Sequence, residues 1–230
     1  MWALLQWSVR RSKNVEEDTA HRLKRCPTAV VHDVMRARGL RDFTLPHELR
    51  SILPEDSLAG PAFTVEGYPA PGTDADTTLL AWTWLLSQAK SAHVWVIQPH
   101  DSLVAHMGEL SAQALKGKGV LGCVLDGGAR DVAALRAMRF PTWCRYFTPR
   151  DIVAYWMPKA IEQDIRIGDV IIYPGDYILG DCDGLVRIPS GLIEEILVAA
   201  EQAMANENRV RAAIVSGMDP QEAYRTFGKF

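Results

Sequence analysis

Three short apolar runs decide the fold: HVWVIQ at 93–98, VLGCVL at 120–125 and PTWCRYF at 141–147. Each is the length of a strand and apolar enough to be buried. Between the first two lies a helical segment from about Gly108 to Leu115, broken by Gly117 and Gly119. After the second, Asp126-Gly127-Gly128 reads as a turn into a helix from about Arg130 to Met138. Strand, helix, strand, helix, strand at this spacing predicts a parallel βαβαβ core with right-handed crossovers, and so an α/β domain. Ligands of such sheets gather beyond the carboxyl ends of the strands. Here those ends are Pro99 to Gly108 and Asp126 to Asp131.

Upstream, a helix starts near Pro27-Thr28, carries Val30, Val31 and Met35 on one face and ends at Gly39. Ala59 to Glu66 reads as a strand and Pro69 to Gly72 as a loop. Asp74 then caps a helix through Leu85, whose Leu79, Leu80, Trp82, Trp84 and Leu86 supply bulk for a core or a subunit contact. Downstream, turns at Gly168-Asp169, Pro174-Gly175-Asp176 and Asp181 to Gly184 predict β-hairpins. A long helix follows from Gly191 to about Ser216.

Composition narrows the partners. Twenty-five basic against twenty-eight acidic residues give a net charge of −3, with no long run of one sign. The densest basic stretch, Arg10, Arg11 and Lys13 followed by Arg22, Lys24 and Arg25, is interrupted by Glu16, Glu17 and Asp18. A nucleic-acid partner is therefore not expected. Neither is a membrane, because the apolar stretches fall short of the roughly 20 residues that span one. Four scattered cysteines are not a disulfide scaffold, and they suit reduced thiols in the cytoplasm. The opening residues place an apolar run before Arg10 and Arg11, the reverse of a secretory signal.

The chemistry concentrates at Gly108-Glu109-Leu110 and Gly127-Gly128-Ala129-Arg130-Asp131. The two turns of adjacent parallel βα units open on the same edge of the sheet, so two carboxylates and a guanidinium can converge there. Two acidic oxygens suit a hard divalent cation such as Mg²⁺ that keeps several waters. Arg130 can grip a carboxylate with two prongs. On spacing alone, a helix-capping Asp131, a surface Arg130 and a first-turn Glu109 explain the same residues. His106 reads as a structural histidine near the cleft, and Lys116 and Lys118 as solvated.

Glu109, twenty intervening residues and Arg130-Asp131 resemble the Asp/Glu-x20-Arg-Asp motif of one family. It holds the 4-hydroxy-4-methyl-2-oxoglutarate/4-carboxy-4-hydroxy-2-oxoadipate aldolases and the regulator of ribonuclease activity A (the RraA-like family). Ala59 to Val65 resembles its G-x-A-x-T-V strand, and Pro174-Gly175-Asp176 with Asp181 to Gly184 and Ile188-Pro189 its later signature. The resemblance implies a single β/β/α layered domain of the swivelling-domain type over 27–230, with an extension at 1–26. It implies that Asp131 ligates a divalent metal (Mg²⁺, with Mn²⁺ as the alternative) and that Glu109 holds its water shell. Arg130 would bind the oxo acid and stabilise its enolate. Backbone amides around Gly108 and Leu110 would hold the pyruvyl carboxylate, and Glu207 would arrive from an adjacent subunit of a trimer or dimer of trimers. The implied activity is pyruvate-forming cleavage of a 4-hydroxy-2-oxo acid, with oxaloacetate decarboxylation as a side reaction. The alternative is a non-catalytic regulatory binding protein. Three stretches depart from the family pattern: Met1 to Arg25, Tyr146 to Asp151 and Trp156 to Glu162.

Overall fold

The computed structural model describes residues 17–228, so the basic cluster at Arg10, Arg11 and Lys13 lies outside the described residues. After a helical stretch at 17–23 come α1 (Thr28–Ala37), β1 (Arg50–Ser51), β2 (Leu58–Pro69), α2 (Ala75–Ser87) and β3 (Val94–Gln98). Next are α3 (Glu109–Gly117), β4 (Gly122–Ala129), α4 (Val132–Ala137), β5 (Thr142–Phe147) and β6 (Trp156–Ile161). Two hairpins, β7 (Ile165–Ile167) with β8 (Val170–Ile172) and β9 (Tyr177–Gly180) with β10 (Leu185–Ile188), precede α5 (Ile193–Val215) and α6 (Pro220–Phe227).

The main sheet runs β1-β5-β4-β3-β2-β9-β10, with β6 also on β2. Its centre, β2 to β5, is parallel, with Ala62 beside Val94, Val94 beside Gly122 and Cys123 beside Thr142. This is the βαβαβ core expected from the three apolar runs, and the fold is mixed α/β with a curled sheet. Side chains alternate across it, because successive residues of a strand point to opposite faces. Trp95, Ile97, Cys123 and Leu125 enter the layer under α2, α3 and α4. Val94, Val96, Val124 and Trp143 enter the layer under the β7–β8 hairpin. Both faces are covered, which is why these strands read as unbroken apolar runs.

The long strand β2 serves two regions. Its first half pairs with β9 and the second with β3 and β6. Around the first half, α1 and α5 close a third cluster through Val31, Met35, Ile196 and Leu197. Leu23 and Cys26 belong to the same cluster, and Arg22 is ion-paired to Glu194 and Glu201 at 3.1 and 2.8 Å. Residues 17–26 are therefore built into the packing of the domain.

The Pro174-Gly175-Asp176 and Asp181 signatures have structural work. Asp176 is buried and accepts from Arg187 Nε (2.6 Å), Tyr173 N (3.0 Å) and Ser190 N (3.0 Å), pinning the hairpin to the start of the long helix. Asp181 accepts from Thr28 N (2.8 Å) and Thr28 Oγ1 (2.7 Å), so the hairpin turn caps α1 from a distance.

One local expectation is corrected. Asp126-Gly127-Gly128 is not a turn: β4 continues through it to Ala129, with a register slip between Leu125 and Gly128. The glycines there serve close packing. A Cβ on Gly127 would lie 2.6 Å from His106 Nδ1, and one on Gly128 2.4 Å from Tyr146 Cε2. The turn falls instead at Arg130-Asp131, and α4 begins only at Val132. On α2, Asp74 does cap the helix by accepting from Thr77 N at 2.9 Å. Its apolar bulk is divided, however: Trp82 and Leu86 are core, whereas Leu80 and Trp84 are 70% and 54% exposed.

Candidate active site

The carboxyl ends of β3 and β4 set the geometry. The 99–108 segment leaves β3 and folds back onto β4, His106 N donating to Gly128 O (2.9 Å) and Arg130 N to Met107 O (2.9 Å). That lacing brings Gly108 against the Arg130-Asp131 turn. A Cβ on Gly108 would sit 2.7 Å from Asp131 Oδ2 and 3.0 Å from Arg130 Cγ and Nε. Only glycine permits this approach. One residue on, Glu109 N donates to Asp131 Oδ2 at 3.0 Å, so the carboxylate of one βα turn caps the helix of the other. Asp131 itself is left-handed at φ 54°, a conformation that Asp and Asn adopt more readily than other side chains.

Arg130 is held between two acids. Its Nε lies 3.7 Å from Asp131 Oδ2 and its Nη1 donates to Asp151 Oδ2 at 3.2 Å. All three side chains are roughly 40% exposed and therefore open to solvent and ligand. They border a cleft of about 630 Å³ together with Gly108, Glu109 and Leu110. Leu79, Trp82 and Leu86 of α2 form one wall, and Ile152 and Val153 continue it beyond Asp151. On the other side of Arg130-Asp131, a shallower depression of about 340 Å³ is floored by Phe147, Thr148 and Pro149. A larger groove of about 840 Å³ lies between α1, α5 and α6, but it contains none of the residues of these two turns.

His106 sits beneath the cleft, fully buried, its ring 5.3 Å from that of Trp156 in an edge-on contact. Burial lowers its pKa to about 4, and the nearby Asp101 carboxylate, 3.6 Å from Nε2, opposes the shift without reversing it. Neither ring nitrogen has a hydrogen-bond partner among the described residues. His106 is therefore a neutral support for the 99–108 segment. Asp126 does not line the cleft; burial raises its pKa and the ion pair with Arg145 counters the rise.

Of the residues singled out in the sequence, Gly108, Glu109, Leu110, Arg130 and Asp131 are brought together. Glu207 is not in this cleft: it lies partly buried on α5, which packs on α1. Asp151 was missed. Its only sequence signal was that the 146–151 segment departs from the family pattern. Among the described residues no three His, Cys, Asp or Glu side chains are grouped as a ready-made metal cage, and no helix is long and apolar enough to cross a membrane.

A family model described as "RraA-like: Aldolase/RraA" matches residues 28–187. A protein of Halalkalibacterium halodurans named "Putative 4-hydroxy-4-methyl-2-oxoglutarate aldolase" is 30% identical over 210 residues, 91% of this chain and 94% of that protein. Among solved structures, an uncharacterized protein from Pseudomonas syringae pv. tomato superposes with a TM-score of 0.82 at 26% identity, covering 91% of this chain and 94% of that one. Streptomyces coelicolor RraAS2, titled an unusual member of the RNase ES inhibitor RraA protein family, gives 0.73 at 26% identity, covering 84% and 96%. With the family model spanning the parallel core and both site turns, the chain belongs to the RraA-like family.

Proposed function

We propose that this protein is a divalent-metal-dependent pyruvate aldolase acting on a 4-hydroxy-2-oxo acid. The observation that carries the reading is the convergence of Gly108, Glu109, Arg130 and Asp131 at one cleft from two separate βα turns, down to the 3.0 Å bond between Glu109 N and Asp131. The named aldolase relative in Halalkalibacterium halodurans supports it.

The donor set suits a magnesium-type ion, which takes one or two carboxylates and keeps its remaining positions for water and substrate. Asp131 would hold it, with Glu109 ordering the surrounding water. When bound, the ion supplies positive charge to the 2-oxo acid as its enolate forms. In the cleavage, the C4 hydroxyl gives up its proton and the C3–C4 bond breaks. The electron pair stays on C3 as the enolate of pyruvate, and C4 leaves as an aldehyde or ketone. A proton returned to C3 completes pyruvate. Arg130 binds the substrate carboxylate and stabilises the developing enolate oxygen, a charge present only as the bond breaks. Glu109, and Glu207 reaching in from an adjacent copy, are the carboxylates that exchange protons. Oxaloacetate would lose CO₂ through the same enolate as a side reaction. The exposed Leu80 and Trp84 on α2 suit a contact with a neighbouring copy, and the assembly proposed is a trimer or dimer of trimers.

The same exposed ridge favours a second reading, a regulatory protein that acts by binding. A coupled assay for pyruvate from 4-hydroxy-4-methyl-2-oxoglutarate and from oxaloacetate, with Mg²⁺ and with chelator, separates the two. Mg²⁺-dependent release supports the aldolase; none from either of these, and none from the monocarboxylate 4-hydroxy-2-oxohexanoate, gives the binding role first place.

A further inference from the structure

We infer that the cleft is built for a 4-hydroxy-2-oxo acid with a single carboxylate and an apolar substituent on C4, and that Asp151 sets this limit; the inference rests on the aldolase reading above.

Charge is the first argument. Arg130 is the one cationic side chain lining the cleft among the described residues, against three carboxylates, Glu109, Asp131 and Asp151. A divalent ion would bring the set, Arg130 included, to neutrality, so one substrate carboxylate leaves a single net negative charge and two leave a double one. A second carboxylate would enter with no cation to meet it. His106 does not supply one, since its burial keeps it neutral at ordinary pH.

The guanidinium is also partly committed. Asp151 holds Nη1 at 3.2 Å and Asp131 approaches Nε at 3.7 Å. Asp151 is itself fixed, its Oδ1 accepting from Val153 N at 3.1 Å. A fork held along two sides can offer only its remaining donors, enough for one carboxylate.

The walls give the second half of the specificity. From α2, Leu79, Trp82 and Leu86 face the site, and Ile152 and Val153 extend the surface beyond Asp151. The indole nitrogen of Trp82 is already bonded to Ser111 Oγ at 2.9 Å, so its polar edge is occupied. These five side chains present hydrocarbon beside the hydroxyls of Thr83 and Ser111, a surface that rewards an alkyl or aryl group and has no cation for a second anion. Discrimination thus comes from a repulsive residue as well as from an attractive surface.

The test compares kcat/KM for 4-hydroxy-2-oxohexanoate and 4-hydroxy-4-methyl-2-oxoglutarate with Mg²⁺ present, in the wild type and in Asp151→Asn. Calorimetric binding of 2-oxohexanoate and 2-oxoglutarate to the same proteins adds a readout independent of turnover. The wild type should favour the monocarboxylate by about tenfold or more in both measurements, and Asp151→Asn should cut that ratio to about threefold or less. A wild-type preference for the dicarboxylate, or a ratio unmoved by Asp151→Asn, overturns the inference while leaving the aldolase intact. Cleavage and binding of neither compound overturns the aldolase reading and this inference with it.

Discussion

Lowering the pH should destabilise this protein through His106, by an amount that the structure sets. The ring is buried against Trp156, and a Cβ on Gly127 would lie only 2.6 Å from its Nδ1, so there is no room there for solvent to enter. Its pKa falls from the usual 6.5 to about 4, because burial penalises the imidazolium more than Asp101 rewards it. In the unfolded chain the same ring protonates near 6.5. Between those values the unfolded state holds the extra proton, so stability falls as the pH drops through this window and loses nothing further from His106 below about 4. The loss amounts to about 2 kcal/mol by about pH 5 and to about 3 kcal/mol once the native ring also protonates. Partly buried carboxylates such as Glu66 and Glu201, whose pKa values are lowered, add their own acid losses. The measurement is therefore a difference: urea unfolding of the wild type and of His106→Leu across the same pH series. The wild type should lose about 2 kcal/mol relative to His106→Leu from about pH 7 to about pH 5. Parallel curves would refute the reasoning, because they would mean that the buried ring takes a proton as easily as the unfolded one.

Four further outcomes follow from single contacts. Arg130→Lys keeps the charge but loses the fork, so kcat for pyruvate release should fall about a hundredfold, and a change within threefold would remove Arg130 from the chemistry. Asp131→Asn keeps the left-handed turn that Ala would strain by about 1 kcal/mol, so metal-dependent turnover should vanish with little change in Tm. Gly108→Ala pushes a methyl toward Asp131 Oδ2 and Arg130, and turnover should drop by at least about tenfold while urea stability moves by under about 1 kcal/mol. Asp176→Ala strands Arg187 and two backbone amides in a buried position, and urea unfolding should show a loss of about 3 kcal/mol or more with no site residue touched.

Those contrasts mark what was legible in the sequence. The parallel core was readable because burial on both faces makes its strands short unbroken apolar runs, and helical segments alternate with them at βαβ spacing. The Asp74 cap and the two hairpins were readable because their signals are local. The Asp126-Gly127-Gly128 segment misled because glycine marks two different needs, a turn and a close approach. A sequence does not distinguish them: here the cause is His106 and Tyr146, 21 positions upstream of Gly127 and 18 downstream of Gly128. The Gly108 and Arg130-Asp131 turns converge because the parallel register puts β3 and β4 side by side, so that half of the site follows from topology. Asp151 does not. It lies beyond β5, in an irregular segment whose path depends on the Asp151 turn to Val153 and on the bond from Ala105 N to Arg150 O. Topology therefore assembles the turns proposed to break the carbon–carbon bond, and a loop contact whose sole sequence signal is a departure from the family pattern adjusts the one cationic side chain that lines the cleft among the described residues. If that division holds, relatives sharing the two turns should share the enolate chemistry, and their substrates should differ with whatever stands at the position of Asp151.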